Sequence, residues 1–299
     1  MVSYQTLLLR EGGTDKEYFL KIIQSQNLKT ARDFLNEIEF SLIVQGSRLE
    51  EFVPKIIQSS TITWPYWYLR EHVVGEKSGQ IELFNRGFES NFLKPRLMSK
   101  LIDFFDAMWE AGSREDFRRK FPLKRETYLV HYLDLALQRH QKFLGSRIVK
   151  QSLRVLHNEY SSLLMSFYIF NHSDLNVDNI IFVGDGLKVV DWELAAYSFP
   201  LQDQAFTYVQ AWRSPAWQDE FKTQALDHFA RNAEKQTQTQ MREVVNNYWR
   251  LMVLFHCAQQ IDWGRLVYEN HRNALQDGAE IGVYLKALGG IIEHEVIDQ

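Results

Sequence analysis

The sequence predicts an α+β chain in two lobes, a small antiparallel sheet with one helix and then a larger, mainly helical lobe. Three observations carry this. Two apolar runs of strand length flank Gly12-Gly13 near the start. From about residue 92 the apolar residues switch to helical spacing. Within that helical stretch, a polar loop and two short β-rich runs occupy residues 171–191. The expected division is 1–73 for the small lobe and 74–299 for the helical lobe.

The elements follow in order. Residues 3–10 (SYQTLLLR) and 17–23 (EYFLKII) read as strands joined by EGGTDK, whose Gly pair suits a hairpin turn. Thr30 could cap the next helix, in which Phe34, Ile38 and Leu42 recur every fourth residue. Residues 52–57 (FVPKII) and 61–69 (TITWPYWYL) read as strands, with Pro54 and Pro65 favouring edges or ends. Glu71 to Gly79 reads as a linker. Helical periodicity then covers Leu97 to Phe105, Tyr128 to Phe143 and Val149 to Tyr168. Residues 180–183 and 187–191 form a hairpin around Gly184-Asp185-Gly186, and the chain is helical again from about Asp203.

Composition bounds the function. The chain has 299 residues, 45% apolar and 24% charged, which is ordinary for a globular protein. A net charge of −4 argues against dedicated nucleic-acid binding, which shows as a basic excess. The single cysteine, Cys257, allows no disulfide framework and no multi-cysteine metal site, and reads as a buried small hydrophobe. The start of the chain lacks a signal-peptide pattern, and the longest apolar run, Leu163 to Phe170, is too short to span a bilayer. A cytoplasmic protein without a membrane partner is expected. Rossmann, P-loop and HExxH zinc motifs are absent from the sequence.

The chemistry concentrates in one segment. His172-Ser173-Asp174-Leu175-Asn176-Val177-Asp178-Asn179 has the spacing H-x-D-x-x-x-x-N, and a hairpin then leads to Asp191-Trp192-Glu193. This is the layout of a phosphoryl-transfer loop and its metal-binding Asp. Such a transfer needs the acceptor hydroxyl held in line and the phosphoryl charge neutralised by Mg²⁺. Asp174 is placed to accept the hydroxyl proton. Asn179 and Asp191 offer hard oxygen ligands suited to Mg²⁺.

HSDLNVDNII followed by KVVDWE resembles the aminoglycoside phosphotransferase and choline kinase-like family, which shares the protein-kinase-like fold. The resemblance implies ATP and Mg²⁺ as cofactors and a small-molecule hydroxyl as acceptor: an amino sugar, sugar or amino alcohol. It matches Asp174 to the catalytic Asp, His172 to the structural His, Asn179 and Asp191 to the metal ligands, and Asp203 to an Asp that braces the loop. Protein kinases carry Lys two residues after the catalytic Asp and then D-F-G. Asn176 and Asp191-Trp192-Glu193 lean to the small-molecule branch instead.

In the small lobe the resemblance implies that Lys21 contacts the nucleotide phosphates and pairs with a helix glutamate. Glu37 and Glu39 point about 200° apart on a helix, so only one can face the site, and the resemblance of FLNE to the family's helix implies Glu37. WYLREHVVG resembles the hinge that binds adenine, through backbone groups near Glu71 and Val73. One departure stands out. The family has a strand, a phosphate-covering loop and a second strand before its Lys strand, and here a single strand precedes Lys21. Absence of the loop is expected rather than replacement by EGGTDK. That raises the alternative of a weak or inactive pseudokinase-like binding or regulatory module, against which the intact Asp174, Asn179 and Asp191 argue.

Acceptor selection is less legible. Trp109, Trp212, Trp217, Trp249, Trp263, Tyr208 and Tyr248 read mainly as core, though an aromatic cage for a quaternary ammonium group would use the same residue types. Glu193 reads equally as an acceptor contact or a strand-end charge. Glu110, Glu115 and Asp116 form a loose acidic cluster that reads mainly as a solvated helix end, with attraction of a cationic acceptor as the alternative, and Asp178 reads as a turn cap.

Overall fold

The computed structural model describes residues 4–81, 86–88, 92–121, 123, 129–160, 168–237, 242–271 and 278–298. The small lobe contains β1 (Tyr4–Arg10), β2 (Glu17–Ile23), α1 (Leu28–Ile43), β3 (Ile56–Ser60) and β4 (Trp67–Glu71). After it come β5 (Glu76–Lys77), β6 (Gly79–Ile81), β7 (Arg86–Phe88), α2 (Pro95–Gly112), α3 (Glu115–Lys120), α4 (Leu129–Arg139), α5 (Gln141–Leu144) and α6 (Ser146–Val155). Then follow β8 (Ile169–Asn171), β9 (Ile180–Val183), β10 (Gly186–Val189), β11 (Ala196–Ser198), α7 (Gln202–Gln210), α8 (Pro215–Thr237), α9 (Arg242–His271) and α10 (Gly278–Ile292). The expected helical stretches that include Tyr128 and residues 161–167 fall partly outside the described residues.

The small-lobe sheet is antiparallel in the order β1-β2-β4-β3. Its register sets Thr6 beside Lys21 and Lys21 beside Tyr68, and Leu8 beside Phe19 and Phe19 beside Arg70. EGGTDK closes as a hairpin turn, with Glu11 N–H donating to the Lys16 carbonyl at 3.0 Å and Gly13 at φ 81°, a left-handed conformation that glycine adopts without steric cost.

Three boundaries differ from the sequence reading. Asn27, not Thr30, caps α1, its side chain accepting from Lys29 N–H. Residues 48–52 form a 3-10 turn, so the third strand starts only at Ile56, past Pro54. The run 61–69 is strand only from Trp67, because Pro65 cannot donate to a ladder. The segment read as a linker also holds β5, which pairs with β9 of the later hairpin. Ser78 adds its N–H to the Ile180 carbonyl and its hydroxyl to the Val177 carbonyl, both at 3.0 Å.

Two apolar clusters form the interior. The smaller joins Ile23, Phe34, Ile38, Ile56 and Tyr68 between sheet and α1. The larger fills the helical lobe and takes in Phe40 and Val44 from the second half of α1. Phe40 stacks on Trp192 at 3.9 Å, and the Asn36 amide donates to the Glu193 and Ala195 carbonyls, each at 3.0 Å. Helix α1 therefore ties the sheet to the segment that carries Asp191. Among the described residues no helix is long and apolar enough to cross a membrane.

Candidate active site

The polar loop between β8 and β9 is held by buried hydrogen bonds that leave it one shape. The Asp203 carboxylate, on the first turn of α7, accepts from His172 N–H at 2.6 Å and from Ser173 N–H at 3.0 Å. Ser173 stands at φ 69°, an uncommon conformation for a residue with a Cβ, and this clamp holds it there. The buried His172 ring packs edge-on against Trp192. Its Nε2 lies 2.9 Å from the Val190 carbonyl and its Nδ1 accepts from Asp174 N–H, which assigns the neutral Nε2–H tautomer. Gln210 locks the loop from below, accepting from Val177 N–H and donating to the Leu175 carbonyl.

Asn179 closes the loop. Its Nδ2 donates to the Asp174 carbonyl at 2.9 Å, which leaves Oδ1 as its remaining acceptor. Its own carbonyl takes Val190 N–H at 2.9 Å, so the β9–β10 hairpin returns the chain beside it. One residue on, Asp191 stands at φ 65°.

A cleft of about 460 Å³ opens between the sheet and this hairpin. One end is charged. Lys21 Nζ lies 2.8 Å from Glu37 Oε2, 3.2 Å from Asp191 Oδ1 and 3.4 Å from Glu193 Oε2. It also sits 4.5 Å above the Tyr4 ring. Burial alone would lower the Lys21 pKa, but Glu37, Tyr68, Asp191 and Glu193 outweigh it and hold the amine charged, above the usual lysine range. Burial, with Asp191 nearby, raises the Glu193 carboxyl against the pull of Lys21. Glu39 points away, 3.8 Å from Lys120. Phe19, Arg70, His72, Val73, Ile181 and Val190 also line the cleft.

The cleft brings together Lys21, Glu37, Val73, Asn179 and Asp191. Asp174 and His172 belong to the loop behind it and do not line the cleft. Glu71 is not among the residues that line the cleft, and its side chain accepts from Lys55 N–H at 3.1 Å. None of residues 11–16 lines it. The donor set fits a magnesium ion. The Asp191 carboxylate is 40% exposed, Asn179 Oδ1 makes no hydrogen bond among the described residues, and Glu37, Asp191 and Glu193 place carboxylate oxygens within 4.8 Å of one another.

Sequence reasoning missed several participants. Asn36, Gln210, Tyr4 and Arg70 enter the site only through the tertiary arrangement. Gln210 alone had a local signal, lying two helical turns beyond Asp203 on the same face. Most of the aromatic residues prove to be core: Trp217, Trp249, Tyr208 and Tyr248 are buried. Trp212 carries Arg213 over its ring at 4.5 Å and Trp109 packs on Phe229. Glu115 and Asp116 are paired with Arg119 and Arg114 on the surface. Asp178 donates its N–H to the Asn176 side chain and lies 3.6 Å from Lys77.

A sheet lobe with a buried Lys–Glu pair, facing a helical lobe with an H-x-D-x-x-x-x-N loop, is the arrangement of the protein-kinase-like fold. The chain belongs to the phosphotransferase enzyme family, whose model matches residues 3–244. Solved structures agree on the fold. The GDP complex of aminoglycoside 2′-phosphotransferase-IIIa aligns at TM-score 0.58 and 15% identity, over 98% of this chain and 94% of that one. The streptomycin–ATP ternary complex of APH(2″)-IIa aligns at 0.54 and 16% identity, over 93% of each chain. The macrolide 2′-phosphotransferase MphH from Brachybacterium faecium aligns at 0.57 and 12% identity, over 96% and 89%. Among curated proteins none matches in sequence.

Proposed function

We propose that this enzyme transfers the γ-phosphoryl group of ATP, or a related purine nucleoside triphosphate, to a hydroxyl of a small molecule such as an amino sugar, sugar or amino alcohol. The observation that carries the reading is the buried Lys21–Glu37 pair, set within 3.4 Å of Asp191 and Glu193 in one cleft. The nucleotide would lie with its base against Phe19, Val73 and Ile181 and its phosphates at Lys21. Backbone groups of the Glu71–Val73 segment would meet the base edge. Residues 1–73 would thus form the nucleotide lobe, and 74–299 the lobe that carries the catalytic loop and the acceptor.

Asp174 would accept the proton of the attacking hydroxyl, and His172 would hold the loop in the shape that presents it. Asn179 Oδ1 and the Asp191 carboxylate would hold Mg²⁺, which supplies charge neutralisation on the transferring phosphoryl oxygens. Lys21 would leave Asp191 and Glu193 for the phosphates while staying paired with Glu37. A cytoplasmic location goes with a nucleoside triphosphate as donor. The structural relative in complex with streptomycin supports an antibiotic-like amino sugar among the acceptors to be tried.

The test is a thermal-shift titration with ATP and with GTP, with and without Mg²⁺, on the wild type and Asp191→Ala. A ligand at 100 times its dissociation constant adds about 2.7 kcal/mol, on the order of 2–5 °C for a chain of this size. A Mg²⁺-dependent rise that Asp191→Ala abolishes is the expected result. No rise with either nucleotide at millimolar concentration would overturn the reading in favour of a pseudokinase-like module. Once an acceptor is found, Asp174→Ala should abolish turnover and leave the fold intact.

A further inference from the structure

The cleft-facing side chains of the small-lobe sheet lie in rows. Phe19 and Arg70 form one row, Thr6, Lys21 and Tyr68 the next, and Tyr4 beside Ile23 the one beyond. Successive rows are about 7 Å apart, two residues of strand rise. A nucleotide whose base rests on Phe19 and whose inner phosphates meet Lys21 therefore carries its terminal phosphate toward Tyr4. The turn EGGTDK cannot reach that place. It closes the opposite end of β1, about 20 Å of strand away from Tyr4.

Among the described residues the sheet offers side-chain hydroxyls there. Lys21 Nζ sits 4.5 Å from the centroid of the Tyr4 ring, which packs on Phe34 at 6.0 Å. The Tyr4 hydroxyl bonds the Glu193 carboxylate. Burial and that charge hold the phenol above the usual tyrosine range, so it stays protonated and can donate. Thr6 lines the cleft one row back and its hydroxyl makes no hydrogen bond among the described residues. Tyr68 is 1% exposed and bonded to Glu37, which takes it out of reach of a ligand. Across the cleft, the Asn179 amide is committed to the Asp174 carbonyl. Tyr4 is thus the hydroxyl in the row beyond Lys21.

From this we infer that the Tyr4 hydroxyl donates to the terminal phosphate of a bound nucleoside triphosphate, so that a side chain of β1 makes the contact that EGGTDK is too far away to make. Lys21 and Tyr4 share Glu193 as a partner in the empty cleft. When the amine leaves Glu193 for the phosphates, the phenol packed against it can make the same exchange of a carboxylate oxygen for a phosphate oxygen. Hydrogen bonds to such charged oxygens are stronger than neutral ones. A diphosphate ends at the Lys21 row and gains nothing from the hydroxyl, so Tyr4 favours the triphosphate donor over its product. The inference rests on the nucleotide reading of the cleft and concerns its phosphate end alone.

The test is calorimetric titration of the full chain with two matched pairs, ADP and its triphosphate analogue AMP-PNP, and GDP and GMP-PNP, each with Mg²⁺. Tyr4→Phe keeps the ring against Lys21 and Phe34 and removes only the hydroxyl. It should weaken the triphosphate analogues about tenfold, which corresponds to about 1.4 kcal/mol, and the diphosphates by less than about twofold. Thr6→Val, one row back, should weaken both classes alike. An equal loss of both classes in Tyr4→Phe would overturn the inference, since the hydroxyl would then act through Glu193 and not on the terminal phosphate. Triphosphate binding that is unchanged or tighter in Tyr4→Phe would overturn it too. So would a Thr6→Val loss confined to the triphosphates, which would contradict the order of the rows. Each of these leaves the nucleotide reading standing. Failure of all four nucleotides to bind the wild type would overturn both.

Discussion

Replacing Asp203 by Asn changes one atom and should unsettle the whole catalytic loop. The carboxylate is 1% exposed and accepts two backbone N–H groups, from His172 at 2.6 Å and Ser173 at 3.0 Å. Hydrogen bonds to a charged group contribute about 1.5–3 kcal/mol each, against about 1 for neutral pairs. The amide can keep one bond in its weaker neutral form. At the other position its NH₂ faces an N–H that is buried and then has no acceptor. The carboxylate's favourable place at the N-terminus of α7 is also lost. Together these give a cost of about 2–4 kcal/mol. The assay is urea unfolding followed by tryptophan fluorescence and circular dichroism, with coincident transitions licensing the free energy. Asp185→Asn, whose side chain is 98% exposed, is the control and should stay within about 0.5 kcal/mol of wild type. Asp203→Asn within the same margin would refute the argument that this carboxylate holds the loop.

Two further changes probe other parts of the molecule. Glu37→Gln removes the nearest partner of Lys21 but leaves Asp191 and Glu193 at 3.2 and 3.4 Å. Stability should fall by only about 1–2 kcal/mol, while Mg²⁺-nucleotide affinity drops about 10- to 100-fold as Lys21 settles on the two carboxylates of the cleft. Titration calorimetry giving unchanged affinity would remove Glu37 from the site. His256 is buried between Phe206 and Phe255, and burial pushes its pKa down to about 3. The unfolded chain takes up this proton near pH 6.5 and the folded chain does not. Stability is therefore full above about pH 6.5 and falls by about 1.4 kcal/mol per unit as the pH drops toward 3. His256→Phe should lose this one-proton slope in urea midpoints measured between pH 7 and pH 5, and an unaltered slope would exclude His256 as its source.

The parts of the site that were legible in the sequence are those whose geometry is local. The loop from His172 to Asn179 and the return to Asp191 through a Gly-Asp-Gly turn are fixed by spacing and turn chemistry, so residue numbers alone place them together. Lys21 and Glu37 were legible only through the resemblance of EYFLKII and FLNE to the family's strand and helix. That Lys120 from α3 engages the other candidate, Glu39, is visible only in the fold. The run TITWPYWYL was too uniformly apolar for periodicity to show where the strand starts. A two-residue strand such as β5 has no pattern at all. Arg70 stood in the sequence only as one residue of the hinge-like segment WYLREHVVG. Its stacking on Phe19 depends on the β2–β4 register, which no local signal gives.

Helix α1 starts in one apolar cluster and finishes in the other, with Phe34 and Ile38 in the first and Phe40 and Val44 in the second. The chain's cooperative units should therefore be divided within a helix and not at the linker. Amides in the C-terminal half of α1 should exchange with solvent only when the helical lobe opens, and those in its first turns with the sheet. Glu37 lies next to that boundary. The sheet that carries Lys21 can fluctuate as a separate, weaker unit, while the carboxylate it must find on returning is anchored near the more stable one.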